Sequence, residues 1–421
     1  MKPGDTVKLI TSEGTFEGTL LPRPALLSSD ITVLKLTTGY NIGIETKKIK
    51  KSTVLLEYEM PIPVRTKISY NPELPTVAIL STGGTIASRI DYRTGGVYAD
   101  YSAEDFVAMC PELSMIANIK AVKVMSIMSE DAVASDWQAM AQNVIDALKN
   151  SDGVVITHGT DTMHFTASAL SFLLENLNKP VIITGSQRSI DRGSSDAFMN
   201  LTCAVKAAAS WDGACVAICM HGTISDEHCT LLRGTKVRKM HTSRRDAFRA
   251  INDQPLARVY TDGQIEITNP DYPKRREGKI TLRKIENAVA LVQIHPDLDP
   301  GIIDYHVKQK VKGLVLNATA FGHVPINREK TLGPSLKKAI AAGITIVVCS
   351  QTVYGRVNPY VYTNLRKLSM DIGAIYLSDM LSETAFTKLM VALTYKNTKE
   401  FMESNIAGEF TSRELEREFL Q

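Results

Sequence analysis

Val77-Ala78-Ile79-Leu80-Ser81-Thr82-Gly83-Gly84-Thr85-Ile86 and Gly153-Val154-Val155-Ile156-Thr157-His158-Gly159-Thr160-Asp161-Thr162 decide how this chain folds. Each is an apolar run of strand length that breaks abruptly into glycine and hydroxyl side chains. An apolar run without polar alternation predicts a strand buried on both faces, as in a parallel sheet covered by helices. Val181 to Thr184 and Cys215 to Met220 repeat the pattern. Helical patterns, Trp137 to Leu148 and Thr166 to Leu177, lie between these strands. Ser135, with Gln138 three residues on, reads as the cap of the first. Alternation of strand, loop and helix predicts an α/β domain.

Working outward, the charged stretch Asn269 to Lys284 interrupts this rhythm and reads as a connection between domains. A second α/β series follows at Ala288 to Ile294, Gly313 to Leu316, Thr345 to Cys349 and Ala374 to Leu377. Thr411 to Gln421 reads as a short terminal helix, with Thr411 and Glu414 as its capping box. Towards the N-terminus, Asp5 to Leu9, Phe16 to Leu20, Thr32 to Thr37 and Tyr40 to Ile44 are short β-prone runs between glycines and prolines. Close spacing and tight turns predict a small antiparallel β-barrel. The basic run Lys47, Lys48, Lys50 and Lys51 reads as a solvated face. Pro61 to Pro75 reads as a linker. The expected organisation is a small all-β barrel domain over 1–70, then α/β domains with parallel sheets over 71–275 and 285–421.

At 421 residues the chain is too long for one core. Its 44% hydrophobic and 22% charged content is that of a soluble globular protein. No run of eighteen apolar residues is present, which excludes a spanning helix. A formal charge of +3 does not mark the whole chain as a nucleic-acid binder. Six scattered cysteines point to reduced thiols and a cytoplasmic location. Cys215, Cys219, His221, His228 and Cys229 lie close together, but no C-x2-C pair accompanies them. A buried strand with its following loop explains them better than zinc, and no metal is expected.

The two strand-end motifs place glycines and hydroxyls where open α/β sheets bind ligands. Glycine lets backbone N–H groups approach a substrate closely, which suits an oxyanion hole. Neither motif has the spacing of a nucleotide-binding loop. Either alone would equally serve as a tight connection or a helix cap. A threonine hydroxyl attacks only if a base removes its proton. His158, or a lysine paired with Asp161, would meet that need, and the residues alone leave both open.

Ser81 to Ile86 and His158 to Thr162, in this order on matching strand ends, resemble the paired signatures of the bacterial-type L-asparaginase family. Thr184-Gly185-Ser186-Gln187-Arg188, Ser195-Asp196 and Asn200-Leu201 are similar to its next stretch, so the resemblance runs from Thr76 onward. One branch is closer: the D subunits of archaeal glutamyl-tRNA(Gln) amidotransferases, which also carry a small β-domain in front. Lys239 to Phe248 and Ser350 to Arg356 resemble that branch. The resemblance implies that both α/β domains are asparaginase-like. It implies Thr85 as nucleophile, with Thr160 and Asp161 as the second catalytic threonine and its aspartate. The family's lysine lies six residues after an Arg-Gly pair and nine before a phenylalanine, so Arg233-Gly234 and Phe248 select Lys239 over Lys236. Ser129 and Glu130 match the pair that grips the substrate's α-amino and α-carboxyl groups, and Gly159 joins them in substrate binding. A loop tyrosine also assists in the family; Tyr92 and Tyr98 are both available on that loop, and the choice between them stays open.

The expected function is therefore that of a glutaminase component of an amidotransferase. It would hydrolyse glutamine and supply ammonia to a partner, the E subunit of the amidotransferase, which converts Glu-tRNA(Gln) to Gln-tRNA(Gln). This chain needs no cofactor in that scheme. ATP and Mg belong to the partner, and tRNA(Gln) is met through the complex. A homodimer core within a heterotetramer is implied, and no membrane. The alternative is a free-standing L-asparaginase, which would have no need of the first seventy residues.

Overall fold

The computed structural model describes residues 1–21, 30–36, 41–58, 70–84, 86, 88–90, 97–99, 110–190, 195–328, 331–414, 416 and 419. Strands β1 (Thr6–Thr11), β2 (Thr15–Leu20), β3 (Ile31–Leu36), β4 (Asn41–Glu45) and β5 (Ile49–Leu56) form one antiparallel sheet, ordered β4-β3-β2-β1-β5. Val7, Leu9, Leu34 and Ile44 make its small core. The all-β character follows from the short alternating runs. The sequence missed β5, because its basic start hides a strand whose residues are exposed or half-buried. Lys48 in that run pairs with Glu13 and Glu45 at 2.7 and 2.8 Å. Most of the Pro61 to Pro75 linker lies outside the described residues.

Strand β6 (Thr76–Gly83) leads into a hairpin of β7 (Ser88–Ile90) and β8 (Val97–Ala99). Then come β9 (Asn118–Ile127), β10 (Gly153–Thr157), β11 (Leu174–Glu175), β12 (Val181–Thr184), β13 (Val216–His221), β14 (Cys229–Arg233), β15 (Val237–Lys239), β16 (Phe248–Ala250), β17 (Ala257–Val259) and β18 (Ile265–Ile267). Eight of these form the main sheet, ordered β18-β17-β14-β13-β12-β10-β6-β9. From β13 to β9 the pairs are parallel. At the other edge β14, β17 and β18 run antiparallel. The stretch between His221 and Cys229 is too short for a crossover helix, so the chain can only turn back.

Burial on both faces explains the unbroken apolar runs. Val77, Ile79 and Val155 point to one side, with Leu201, Ala204 and Ala208 of the helix Ala197–Ser210. Ala78, Leu80, Val154 and Ile156 point to the other. There they meet the helices Ala134–Leu148 and Met163–Leu173 through Trp137, Met140, Leu170 and Phe172. The first of these helices starts one residue before the expected Ser135 cap. Asp136 Oδ2 accepts the Val133 N–H at 2.9 Å, so an acidic first-turn residue closes the helix start instead.

Strand β19 (Thr281–Leu282) pairs with β11. The second sheet, β20 (Val289–Gln293), β21 (Gly313–Ala318), β22 (Thr345–Ser350) and β23 (Ile375–Tyr376), is parallel throughout. The helix Ser382–Ala392 joins the halves: Thr387 Oγ1 donates to Ser168 Oγ at 2.9 Å on the helix Met163–Leu173. The expected terminal capping box does not form. Thr411 binds Asp379 through both its N–H and its hydroxyl, while Glu414 reaches Arg356 at 3.6 Å. Tertiary partners take the groups a cap would have used. Among the described residues no helix is long and apolar enough to cross a membrane.

Lys388 and Glu409 fasten the tail to the second sheet's covering helix. Both side chains are fully buried, 2.6 Å apart. Glu409 also accepts the N–H groups of Ile406 and Ala407, and Lys388 donates to the Met402 carbonyl. Replacing Glu409 by Gln strands a buried ammonium, at a cost of about 3–5 kcal/mol. Urea unfolding should show the lower midpoint. The double variant Lys388→Met, Glu409→Leu should recover most of it, and a wild-type midpoint for Glu409→Gln would show that the pair does not brace the tail.

Candidate active site

Parallel pairing of β6 with β10, Leu80 opposite Ile156 and Ser81 opposite Thr157, brings both strand-end loops to the same edge. Thr82 Oγ1 crosses between them and donates to the Thr157 carbonyl at 2.8 Å. Gly83 and Gly84 take φ of 106° and 83°, a region that a side chain disfavours. Space forbids one too: a Cβ on Gly84 would lie 2.2 Å from the backbone nitrogen of Gly159. Gly159 packs in turn on Ser129, whose side chain a Cβ would meet at 2.7 Å. Thr162 Oγ1 donates to the Ser129 carbonyl at 2.6 Å. Three segments distant in sequence thus meet around buried Gly159.

Thr160 follows Gly159 and is almost fully buried. Lys239 Nζ lies 2.9 Å from Thr160 Oγ1 and 2.7 Å from Asp161 Oδ1. The lysine side chain is 9% exposed and that of Asp161 68%, so the cluster is covered on the threonine side and open on the aspartate side. Lys236 is elsewhere. Its Nζ is buried against Asp379 Oδ2 at 2.5 Å. Burial pulls its pKa below the ordinary value, against the opposing pull of Asp379. Of the two lysines weighed from the sequence, Lys239 is the one beside Thr160.

His158, the other basic group weighed, is enclosed. Nδ1 lies 2.7 Å from the Gly159 carbonyl, and a carbonyl only accepts, so Nδ1 carries the proton. Nε2 then accepts from Thr166 Oγ1 at 3.0 Å, and Thr166 accepts from Trp137 Nε1 at 3.0 Å. Burial brings the His158 pKa down to about 4, which keeps the ring neutral at physiological pH. The ring fixes the Gly159 peptide. Ser129 is buried at the junction and Glu130, next to it, is exposed. Thr85 and Tyr92 lie outside the described residues, as does the side chain of Tyr98; its backbone belongs to β8.

Burial pushes the Cys215 thiol up to about 12, and Cys219 and Cys229 are buried. Among the described residues no three His, Cys, Asp or Glu side chains converge as a metal site. Two carboxylates that contact the segment leading to Lys239 carried no readable mark in the sequence. Glu383 lies 3.6 Å from Arg238 and 3.9 Å from His164, and Asp379 holds Lys236. Both sit in Leu377-Ser-Asp-Met-Leu-Ser-Glu383, which reads only as an ordinary helix start.

Three family models match the chain. GatD N-terminal domain covers residues 1–55, Asparaginase, N-terminal covers 76–272, and Glutaminase/Asparaginase C-terminal domain covers 288–404. Among curated relatives, the D subunit of glutamyl-tRNA(Gln) amidotransferase from Pyrococcus furiosus is 47% identical over 97% of this chain and 94% of its own length. Its counterpart from Methanococcus maripaludis is 41% identical over 97% and 98%. Among solved structures, the thermostable L-asparaginase from Thermococcus kodakarensis is 29% identical, with a TM-score of 0.69 over 80% of this chain and all of that one. L-asparaginase I from Vibrio cholerae matches equally, at 29% and 0.69. The chain belongs to the family of glutamyl-tRNA(Gln) amidotransferase D subunits, with a two-part asparaginase-like amidohydrolase fold behind an N-terminal domain matched by that family's own model.

Proposed function

We propose that this chain hydrolyses the side-chain amide of glutamine through Thr85 and passes the ammonia to a partner protein. The observation that carries this reading is the contact of Lys239 with Thr160 and Asp161, beside the loop that bears Thr85. The Thr85 hydroxyl loses its proton as its oxygen adds to the amide carbon. The tetrahedral intermediate collapses when nitrogen takes a proton and leaves as ammonia, and water then cleaves the ester to glutamate. Lys239 is the base of this scheme, acting through Thr160 Oγ1 and oriented by Asp161. Ser129 and Glu130 grip the α-amino and α-carboxyl groups, with Gly159 admitting the substrate close to backbone.

The names of the relatives support the wider role. In this reading the E subunit of the amidotransferase binds tRNA(Gln) and uses ATP and Mg to activate the misacylated glutamate. The present chain supplies ammonia without a cofactor of its own, from the homodimer core of a cytoplasmic heterotetramer. The N-terminal sheet, matched by the GatD N-terminal domain model, favours this over a free-standing asparaginase.

Thr85→Ala, Thr160→Val and Lys239→Met should each lower kcat for ammonia release from glutamine by roughly 10²–10⁴ with the fold kept. Near-normal turnover in Lys239→Met would reject the lysine as base. Ammonia release should also accelerate when the E subunit and Glu-tRNA(Gln) are added, compared with the isolated chain at matched concentration. Equal rates with and without them, or a preference for free asparagine in both, would favour the free-standing asparaginase.

A further inference from the structure

Lys239 stands on a weak support. Strands β15 and β16 make a two-stranded ribbon three residues long, with Val237 opposite Ala250 and Lys239 opposite Phe248, and the ribbon is not part of the main sheet. Ribbons of that size do not hold themselves rigid. Reach between Lys239 Nζ and Thr160 therefore depends on what the ribbon is fastened to.

Val237, Ala247 and Phe248 pack the ribbon into the core of the first half, and the second half adds polar fastenings that centre on the segment Asp379 to Thr384. At the ribbon's base, Lys236 is bound by Asp379 in a fully buried pair. Thr384 Oγ1 donates to the Thr235 carbonyl at 3.0 Å, and Asn252 Nδ2 to the Asp379 carbonyl at 3.3 Å. One residue before Lys239, on the opposite strand face, Arg238 Nε lies 3.6 Å from Glu383 Oε1. That same oxygen lies 3.9 Å from His164 Nε2, on the helix that begins two residues after Asp161. Glu383 Oε1 thus lies between the ribbon that bears Lys239 and the helix that follows Thr160 and Asp161, within ion-pair distance of Arg238 and against His164, with no hydrogen bond of its own. Ser382 Oγ holds its other oxygen at 2.9 Å. Glu383 is 2% exposed, so its placement is fixed by packing.

We propose that Glu383, with Asp379, is a positioning residue for the amide hydrolysis: it ties the Lys239 ribbon to the helix that follows Thr160 and keeps Nζ within reach of the threonine. Both carboxylates act through other side chains in this reading, Glu383 through Arg238 and Asp379 through Lys236. The inference rests on the assignment of Lys239 as base. Loss of the tie moves Lys239 and leaves the substrate grip at Ser129 untouched, so its mark is on the chemical step. Displacements of about 1 Å at a reacting group cost up to a hundredfold in rate.

The test is steady-state glutamine hydrolysis by the full chain, in the assembly that purifies with it, for Glu383→Gln, Arg238→Gln and Lys239→Met. Glu383→Gln keeps the shape and removes the charge. Its kcat should fall roughly ten- to a hundredfold with KM within about twofold of wild type, at an unchanged unfolding midpoint. Arg238→Gln should give the same split from the ribbon side, at a residue one-third exposed, and it carries the test if Glu383→Gln does not fold. Wild-type kcat in a folded Glu383→Gln or in Arg238→Gln, with Lys239→Met inactive, would overturn the positioning role and leave the base assignment standing. An active Lys239→Met would overturn both.

Discussion

Contact between the backbones of Gly84 and Gly159 is the constraint on which the site depends. No side chain fits between them, since a Cβ on Gly84 would meet the Gly159 nitrogen at 2.2 Å and its Cα at 2.4 Å. That closeness requires β6 and β10 to be neighbours in register, because a one-residue slip would turn the loop-forming residues away from each other. Register is set in turn by burial: Ala78 and Leu80 must face the helices Ala134–Leu148 and Met163–Leu173 while Val77 and Ile79 face the opposite helix layer. A chain of causes thus runs from apolar runs buried on both faces to the meeting of two glycines.

Placement of the polar residues follows from the same contact. Once Gly159 is fixed, Thr160 emerges at the sheet's edge under cover and Asp161 in the open, so one motif supplies a buried hydroxyl and an exposed carboxylate. Lys239 completes the cluster from outside the sheet. Its ribbon belongs to the first half of the chain by sequence, yet it is held by Asp379, Glu383 and Thr384 of the second half. The two α/β halves are therefore joined at the ribbon. The second half contributes no matched catalytic residue, but the ribbon's base rests on it.

Legibility in the sequence divides along the range of each interaction. The strands β6, β10, β12 and β13 and both glycine motifs were readable because their apolar runs and turns are local signals. Lys239 was readable only through spacing to Arg233-Gly234 and Phe248, a comparison that composition cannot replace. Strand β5 was masked by lysines that a strand at the sheet edge tolerates. The antiparallel edge was missed because apolar runs report burial and not direction. Asp379 and Glu383 were invisible for a deeper reason: their partners lie more than a hundred residues away, and a carboxylate near a helix start looks like a capping residue until its partner is seen. Thr411 shows the converse, a capping pattern whose hydroxyl is taken by Asp379.

The basic groups weighed for Thr160 differ in what each has left to offer. A general base needs a lone pair directed at the proton it takes. His158 has both ring nitrogens engaged, one donating to the Gly159 carbonyl and the other accepting from Thr166, in a line that continues to Trp137. Its burial lowers its pKa to about 4 because a charged ring there would have no solvent. To act as base it would have to release Thr166 and charge in an apolar enclosure. Lys236 is likewise committed, to Asp379. Lys239 differs in its surroundings: its Nζ donates to the Thr160 hydroxyl, and its second contact, Asp161, is a carboxylate open to solvent. Rigid groups build the loop, and of the three basic groups weighed it is the one on the ribbon that contacts the Thr160 hydroxyl.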